Sequence, residues 1–117
     1  MVTVVIVDDE PDFITVFSDF FAMNDITVLG FGNNGHDAVE FCVKHSPDYL
    51  ILDLFMPKFD GFYALEKLSE MKNPTKIIVI SGLLDEHTLN KLNEYKLFAS
   101  FTKPVTPMKL VACMADS

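Results

Sequence analysis

The sequence has 117 residues, half of them hydrophobic, and its net charge at pH 7 is -8. This length and composition predict one compact domain over residues 1–117 and exclude a disordered chain. The acidic balance argues against direct contact with nucleic acid, which requires clustered Lys and Arg. No apolar run has the length of a membrane span, so we expect no membrane partner.

Short apolar runs alternate five times with helical patterns along the chain. The patterns predict strands at 2–7, 26–31, 48–52, 76–80 and 97–102, and helices at 11–23, 36–45, 61–72, 85–95 and 106–115. Because the strands are apolar without clean alternation, both faces of their sheet should be covered. This predicts a parallel sheet between two layers of helices.

The spacing of apolar residues predicts which helix faces point inward. The fourth helix has so few apolar positions that we expect it to be the least stable element. The expected inward positions, in chain order, are Phe13, Phe17 and Phe20; Ala38, Phe41 and Cys42; Phe62, Leu65, Leu68 and Met71; and Leu89 with Leu92.

Cys42 and Cys113 lie within apolar patterns, which predicts buried, reduced thiols and not a disulfide. The chain passes from Met1 directly into a strand pattern, without the features of a secretory leader. We therefore expect a cytoplasmic protein.

Polar side chains stand where four of the predicted strands end. Asp8 and Asp9 follow the first strand, Asp53 the third and Ser81 the fourth, and Lys103 ends the fifth. Each alone has an ordinary interpretation, such as helix capping for the acids or a turn for the serine. Because the carboxyl ends of parallel strands share one edge, where open sheets bind ligands, we expect these side chains to meet.

Three carboxylates in one place repel each other and raise one another's pKa unless a cation neutralises them. A cluster of oxygen ligands without His or Cys suits a hard ion such as Mg²⁺ or Mn²⁺. A carboxylate can accept a phosphoryl group, while Lys103 supplies positive charge and Ser81 a hydrogen-bond donor. The sequence thus predicts phosphoryl transfer to Asp53.

Four motifs, VVIVDDEP, ILDLFMPKFDG, VISG and FTKP, occur in this order over the whole chain. Together they resemble the receiver domains of two-component response regulators. The resemblance implies a flavodoxin-like (βα)5 three-layer sandwich with a parallel five-stranded sheet of order 2-1-3-4-5. It also implies that Lys103-Pro104 is often a cis peptide.

By the same resemblance, Asp53 accepts the phosphoryl group, and Ser81 and Lys103 contact it. Asp9, Asp53 and the backbone carbonyl of Phe55 would bind Mg²⁺ or Mn²⁺, with Asp8 acting mostly through water. The implied donor is a sensor histidine kinase, a phosphotransfer protein or a small molecule such as acetyl phosphate. The implied output is binding of a downstream protein or a second copy through helix four, strand five and helix five.

The chain departs from the family pattern in strand five. Ser100 stands three residues before Lys103, where the family commonly has Tyr or Phe, and Lys96 lies near the place of the usual Gly. Phe98 or Phe101 could replace the missing aromatic side chain, or strand five has none.

Three alternatives remain open: a receiver that binds partners without phosphate, an Mg²⁺-dependent phosphohydrolase with Asp53 as nucleophile, and an FMN carrier. The hydrolase would commonly need an Asp at position 55, which is Phe, and the FMN carrier a phosphate loop after strand one. Beyond its own phosphotransfer and dephosphorylation we expect no enzymatic activity. The histidines lack ligand spacing and are expected at the surface; they are His36, His45 and His87.

Overall fold

In the computed structural model, which describes residues 1–115, five parallel strands alternate with five helices. The sheet has the order β2-β1-β3-β4-β5, so the predicted flavodoxin-like fold is confirmed. Asp116 and Ser117, the end of the predicted domain, lie outside the described residues. The strands are β1 Val2–Val7, β2 Ile26–Gly32, β3 Tyr49–Asp53, β4 Lys76–Ser81 and β5 Ala99–Thr102; the helices are α1 Pro11–Ala22, α2 Gly35–His45, α3 Gly61–Glu70, α4 Glu86–Leu92 and α5 Pro107–Ala115.

Two apolar clusters cover the two faces of the sheet, and β1 shows how. Val4 and Ile6 join the cluster that contains residues of α1 and α5, whereas Val5 and Val7 join the cluster that contains residues of α2 and α3. Successive side chains of a strand point to opposite faces. A strand between two helix layers is therefore apolar at consecutive positions, which explains the unbroken hydrophobic runs of the sequence.

The buried face of helix α1 differs from the predicted one. It buries Phe17 and Phe21, while Phe20 is only partly buried. Phe13 stacks on Phe17 at 3.9 Å between ring centroids, and Phe17 meets Phe21 edge-on at 6.1 Å. Positions four apart are neighbours on a helix, and this spacing continues through Phe21 but not Phe20.

Two other predicted core positions are wrong, for different reasons. Met71 is 53% exposed, since α3 ends at Glu70. Leu89 lies inside α4 but is 43% exposed, because the helix turns Thr88 inward together with Leu92, which is buried as predicted. With seven residues, α4 is the shortest helix in the described part of the chain, and its low stability stays a prediction.

Within residues 1–115, neither cysteine forms a disulfide. Cys42 is buried, as predicted, and burial raises its pKa to about 11 despite a hydrogen bond with Thr75. Cys113 is partly buried. A thiol with so high a pKa is almost entirely protonated at neutral pH, so Cys42 acts as a core residue.

Candidate functional site

The carboxyl ends of β1 and β3 bring three carboxylates together, as predicted. Val7 at the end of β1 pairs with Leu52, so Asp8 and Asp53 follow on adjacent strands. Asp8, Asp9 and Asp53 each offer one oxygen, and these three oxygens lie within 4.8 Å of one another. Asp8 is 1% exposed and Asp53 6% exposed, whereas Asp9 faces solvent. Two buried acids and one exposed acid thus share one position at the sheet edge.

Lys103 supplies the positive charge next to these acids. Its Nζ donates hydrogen bonds to Asp8 Oδ2 at 2.8 Å and Glu10 Oε1 at 3.1 Å, and it lies 3.7 Å from Asp53 Oδ2. The ammonium also lies 4.9 Å from the ring centroid of Phe13. Burial alone would lower the pKa of Lys103, but the bonds to Asp8 and Glu10 and the charge of Asp53 raise it. The amine is therefore charged at neutral pH.

Glu10 is a site residue that sequence reasoning missed. Its backbone N–H donates to Asp8 Oδ1 at 2.8 Å, and its side chain is the second partner of the Lys103 ammonium. The signal was its place in DDEP, directly after the acid pair and before Pro11 at the start of α1. At this position the Glu10 carboxylate can reach the Lys103 ammonium, which also neutralises Asp8.

Asp53 has a shifted pKa, which burial raises to about 6 from its ordinary 3.8. The negative charges of Asp8 and Asp9 raise it further, while Lys103 and a hydrogen bond from the backbone of Phe55 oppose the shift. The cluster therefore carries uncompensated negative charge. Its donors are carboxylate oxygens without His or Cys, which fits Mg²⁺ or Mn²⁺.

Ser81 lies at the same edge, but its hydroxyl forms its hydrogen bonds with the neighbouring backbone. Its side chain is fully buried, and β4 places it next to Thr102 of β5. Ser81 Oγ donates to the carbonyl of Leu83 at 2.9 Å and accepts from the N–H of Leu83 at 3.1 Å. The hydroxyl is thus held in a two-bond ring that we call the Ser81–Leu83 ring. Among residues 1–115, no hydrogen bond joins it to Asp53.

The peptide bond Lys103-Pro104 is cis, as the resemblance implied. The N–H of Lys103 donates to the carbonyl of Ser81 at 2.7 Å. This bond fixes the end of β5 to the end of β4, and so sets the position from which the Lys103 side chain reaches the acids.

Gly61 closes the loop that follows Asp53. Its N–H donates to the carbonyl of Leu54 at 2.7 Å. A Cβ at position 61 would lie 2.5 Å from the backbone oxygen of Asp53 and 2.6 Å from the Cα of Leu54. Only glycine allows this approach between backbones, and the approach holds the end of β3 in place.

We expect Gly61→Ala to lower the free energy of unfolding by about 2–4 kcal/mol, because backbone atoms must move to admit the methyl group. Gly82→Ala is the matched control. Its Cβ would meet nothing within 4 Å, so its effect should stay within about 0.5 kcal/mol. Urea unfolding of both variants measures the difference. Equal stabilities would contradict the close approach at Gly61.

The structure places neither candidate aromatic of strand five on the side of α4. Ser100 pairs with Val79, which belongs to the cluster that includes Leu92 of α4, and Ser100 is exposed. Phe101 packs in the other cluster, with α1 and α5. Phe98 precedes the strand and meets the ring of Tyr49 at 5.3 Å. The position of the usual family aromatic is therefore held by a small hydroxyl side chain.

In residues 1–115, no histidine belongs to the acidic cluster. His36 and His87 are exposed, as predicted, and His45 is partly buried. His36 Nδ1 lies 3.0 Å from Glu40 Oε1, and the ring of His45 stacks on Phe41 at 5.9 Å. The longest helix within residues 1–115, α1, has 12 residues, and none of the described helices could span a membrane.

The chain is similar to curated proteins from several organisms. It is 35% identical over 103 residues to a protein-glutamate methylesterase/protein-glutamine glutaminase of Archaeoglobus fulgidus, over 86% of this chain and 29% of that protein. A protein of the same description from Thermotoga maritima is 36% identical over 87 residues, which are 74% of this chain and 25% of the other. The chain spans less than half the length of the curated relatives it matches.

Solved structures show the same fold. The response regulator domain of Thermotoga maritima CheB has a TM-score of 0.84 and 28% identity, covering 99% of this chain and 95% of that domain. A chain of the CheX–CheY complex of Borrelia burgdorferi with BeF3 and Mg²⁺ has a TM-score of 0.89 at 24% identity, covering 98% and 87%. The family described as the response regulator receiver domain matches residues 4–115. With the predicted strand order and an acidic edge in place, this chain belongs to the response regulator receiver family.

Proposed function

We propose that the protein is a phosphorylation-controlled switch in which Asp53 accepts a phosphoryl group. The donor would be a sensor histidine kinase, a phosphotransfer protein or a small molecule such as acetyl phosphate. Because these donors act in the cytoplasm, the protein would be cytoplasmic. One observation carries the proposal. The Asp53 carboxylate lies at the sheet edge within 4.8 Å of carboxylate oxygens of Asp8 and Asp9 and 3.7 Å from the ammonium of Lys103.

In the transfer, a carboxylate oxygen of Asp53 attacks phosphorus. The bond from phosphorus to the donor atom breaks, and the leaving group keeps the electron pair, so an acyl phosphate forms on Asp53. Asp9, Asp53 and the carbonyl of Phe55 would hold Mg²⁺ or Mn²⁺, with Asp8 acting through water. The metal ion neutralises charge on the transferring group when bound. Lys103 places a fixed positive charge next to the phosphoryl oxygens.

The phosphoryl group would then compete for Ser81. Its hydroxyl would leave the Ser81–Leu83 ring and donate to a phosphoryl oxygen, which draws the β4–α4 loop toward Asp53. Because α4 has seven residues and buries only Thr88 and Leu92, it is the element most easily biased. A bias of about 3 kcal/mol between two existing states changes their ratio by more than a hundredfold. The output would be contact of α4, β5 and α5 with a downstream protein or a second copy.

The proposal is tested by mixing the protein with acetyl phosphate and Mg²⁺ and measuring intact mass and released phosphate. We expect a stoichiometric adduct on the wild type that is stable to acid and labile to base. Asp53→Ala should give none, while Asp19→Ala, at an exposed position of α1, should behave as the wild type. Continuous phosphate release without an adduct would instead indicate a phosphohydrolase. If the protein formed no adduct and bound no Mg²⁺, it would instead be a phosphate-independent binding domain.

Phe55 and Leu83 flank the site and are 45% and 52% exposed. Phe55 rests on Phe62 at 6.4 Å between ring centroids. We expect Phe55→Asn to hydrolyse the acyl phosphate about three- to tenfold faster, because an apolar ring that excludes water is replaced by a polar amide.

Phe59→Asn is the control for this prediction, since Phe59 belongs to the same loop and is 43% exposed but packs on Tyr63 and His36. Its adduct should decay at the wild-type rate. After the donor is removed, intact mass measured over time gives the rate at which each variant loses the adduct. A Phe55→Asn adduct as durable as the wild type would show that Phe55 does not shield the phosphoryl group.

A further inference from the structure

A groove of about 480 Å³ lies at the amino ends of β4 and β5, at the opposite end of the sheet from Asp53. Its floor is apolar and buried, and consists of Leu65 and Leu68 from α3 and Ile77 from β4. Tyr95 and Leu97, which connect α4 to β5, form part of the other side. Ligand sites in proteins have volumes of about 300–1,000 Å³, so the groove is large enough for a small molecule.

Every charged side chain that lines this groove is a lysine, although the protein has a net charge of -8. The three are Lys72, Lys76 and Lys96, one third of the nine basic residues of the sequence. Within residues 1–115, none of them has a carboxylate oxygen within 4.0 Å; the ion pairs there involve other cations. Three ammonium groups without an ion-pair partner around an apolar floor favour an anion that also carries an apolar part.

The rim is held in place by its own hydrogen bonds. The N–H of Asn73 donates to the carbonyl of Leu68 at 3.0 Å, and Asn73 Oδ1 accepts from the N–H of Thr75 at 3.0 Å. Lys76 Nζ lies 5.4 Å from the ring centroid of Phe98 and 5.5 Å from that of Tyr49. A preformed rim lowers the entropy lost when a ligand binds.

Acidic residues near the groove limit where an anionic group can lie. Burial raises the pKa of Tyr95, and the charges of Glu66, Glu94 and Glu70 raise it further, so these acids lie close to its ring. None of the three lines the groove. An anionic head group is therefore repelled from the side of Tyr95 and attracted to the lysines.

We propose that this groove is a binding site for a small amphipathic anion. The aromatic or aliphatic body of the ligand occupies the floor of Leu65, Leu68 and Ile77, and its carboxylate, sulfonate or phosphate group lies among the three lysines. The proposal is independent of phosphorylation, because the groove contains none of the residues at the acidic edge.

The probe for this site is 8-anilinonaphthalene-1-sulfonate, whose fluorescence rises in apolar surroundings. A titration of the folded protein gives its affinity, and amide chemical shifts locate it. We expect shifts at Leu65, Leu68 and Ile77. The double substitution Lys72→Gln/Lys96→Gln should weaken binding about three- to tenfold, as the loss of two exposed charge interactions does. The control Lys44→Gln/Lys109→Gln removes two exposed lysines elsewhere and should leave the affinity unchanged.

Two further measurements separate charge from apolar burial. N-Phenyl-1-naphthylamine lacks the sulfonate and should bind equally to the wild type and to the double variant. Ser69→Phe fills the groove from an exposed position of α3 and should abolish binding of both probes. Unchanged sulfonate affinity in the double variant, or shifts only at the exposed phenylalanines near Asp53, would overturn the proposal.

Discussion

Replacing Asp53 by asparagine should raise the free energy of unfolding of the metal-free protein near neutral pH while it abolishes acceptance of a phosphoryl group. The stabilisation follows from the pKa of Asp53, which burial raises to about 6 from 3.8. A shift of this size corresponds to about 3 kcal/mol, and solvent screening at the open edge reduces the expected gain to about 1–2 kcal/mol. The residue that would carry the function thus destabilises the resting fold.

The pH dependence has a definite sign. An acid whose pKa is raised in the folded state is destabilising when ionised, so its penalty is complete above pH about 6 and absent below its ordinary 3.8. Between these values, lowering the pH should remove the advantage of Asp53→Asn over the wild type. Urea unfolding in the presence of a chelator, near neutral pH and again near the ordinary pKa of Asp, measures this convergence.

Asp19→Asn is the matched control for the stability measurement, because Asp19 is an exposed acid on α1. Its stability should follow the wild type at both pH values. An Asp53→Asn variant that is less stable than the wild type near neutral pH would show that the carboxylate is stabilised by Lys103 more than it is penalised by burial. Mass measurement of the same preparation separates this result from the loss of phosphoryl acceptance.

Replacing Lys103 by methionine should slow phosphorylation of Asp53 by acetyl phosphate about a hundredfold or more. The ammonium is the only cationic group of the described residues within 4.0 Å of Asp53, and a fixed charge next to a transferring group has an effect of this size. Methionine keeps most of the apolar volume next to Phe13 but removes the charge. Intact mass sampled over time gives the rate.

The same substitution should destabilise the metal-free protein by about 1–3 kcal/mol near neutral pH, because Asp8 is 1% exposed and loses its ion-pair partner. The loss should become smaller as the pH falls below about 6, since Asp53, whose pKa burial raises to about 6, then binds a proton and no longer repels Asp8. Lys109→Met, at an exposed position of α5, is the control and should change neither the rate nor the stability. A Lys103→Met protein phosphorylated at the wild-type rate would remove Lys103 from the transfer.

The architecture and the acidic edge were predictable because they depend on patterns that extend over many residues. Five apolar runs separated by helical periods allow few folds, and connections between parallel strands bring the residues that follow those strands to one edge. This convergence brings Asp8, Asp9, Asp53 and Lys103 together. No detail of side-chain packing was needed.

Sequence reasoning failed where a single helical turn or a single hydrogen bond decides the outcome. Phe20 and Phe21 are adjacent phenylalanines, and only the rotation of α1 against the sheet selects Phe21 for the core. Met71 fits the apolar period of α3, but the helix ends one residue before it. The pairing of Glu10 with Lys103 joins residues 93 positions apart, so local pattern could not reveal it.

The Ser81–Leu83 ring limits how many unphosphorylated molecules hold the Ser81 hydroxyl in its turned position. Two hydrogen bonds of about 0.5–1.5 kcal/mol each must break before the hydroxyl can turn toward Asp53, so at most about a sixth of unphosphorylated molecules should hold it turned. Background output would stay low without any inhibitor, and the dynamic range of the pathway would depend on a hydroxyl group and the backbone of one leucine.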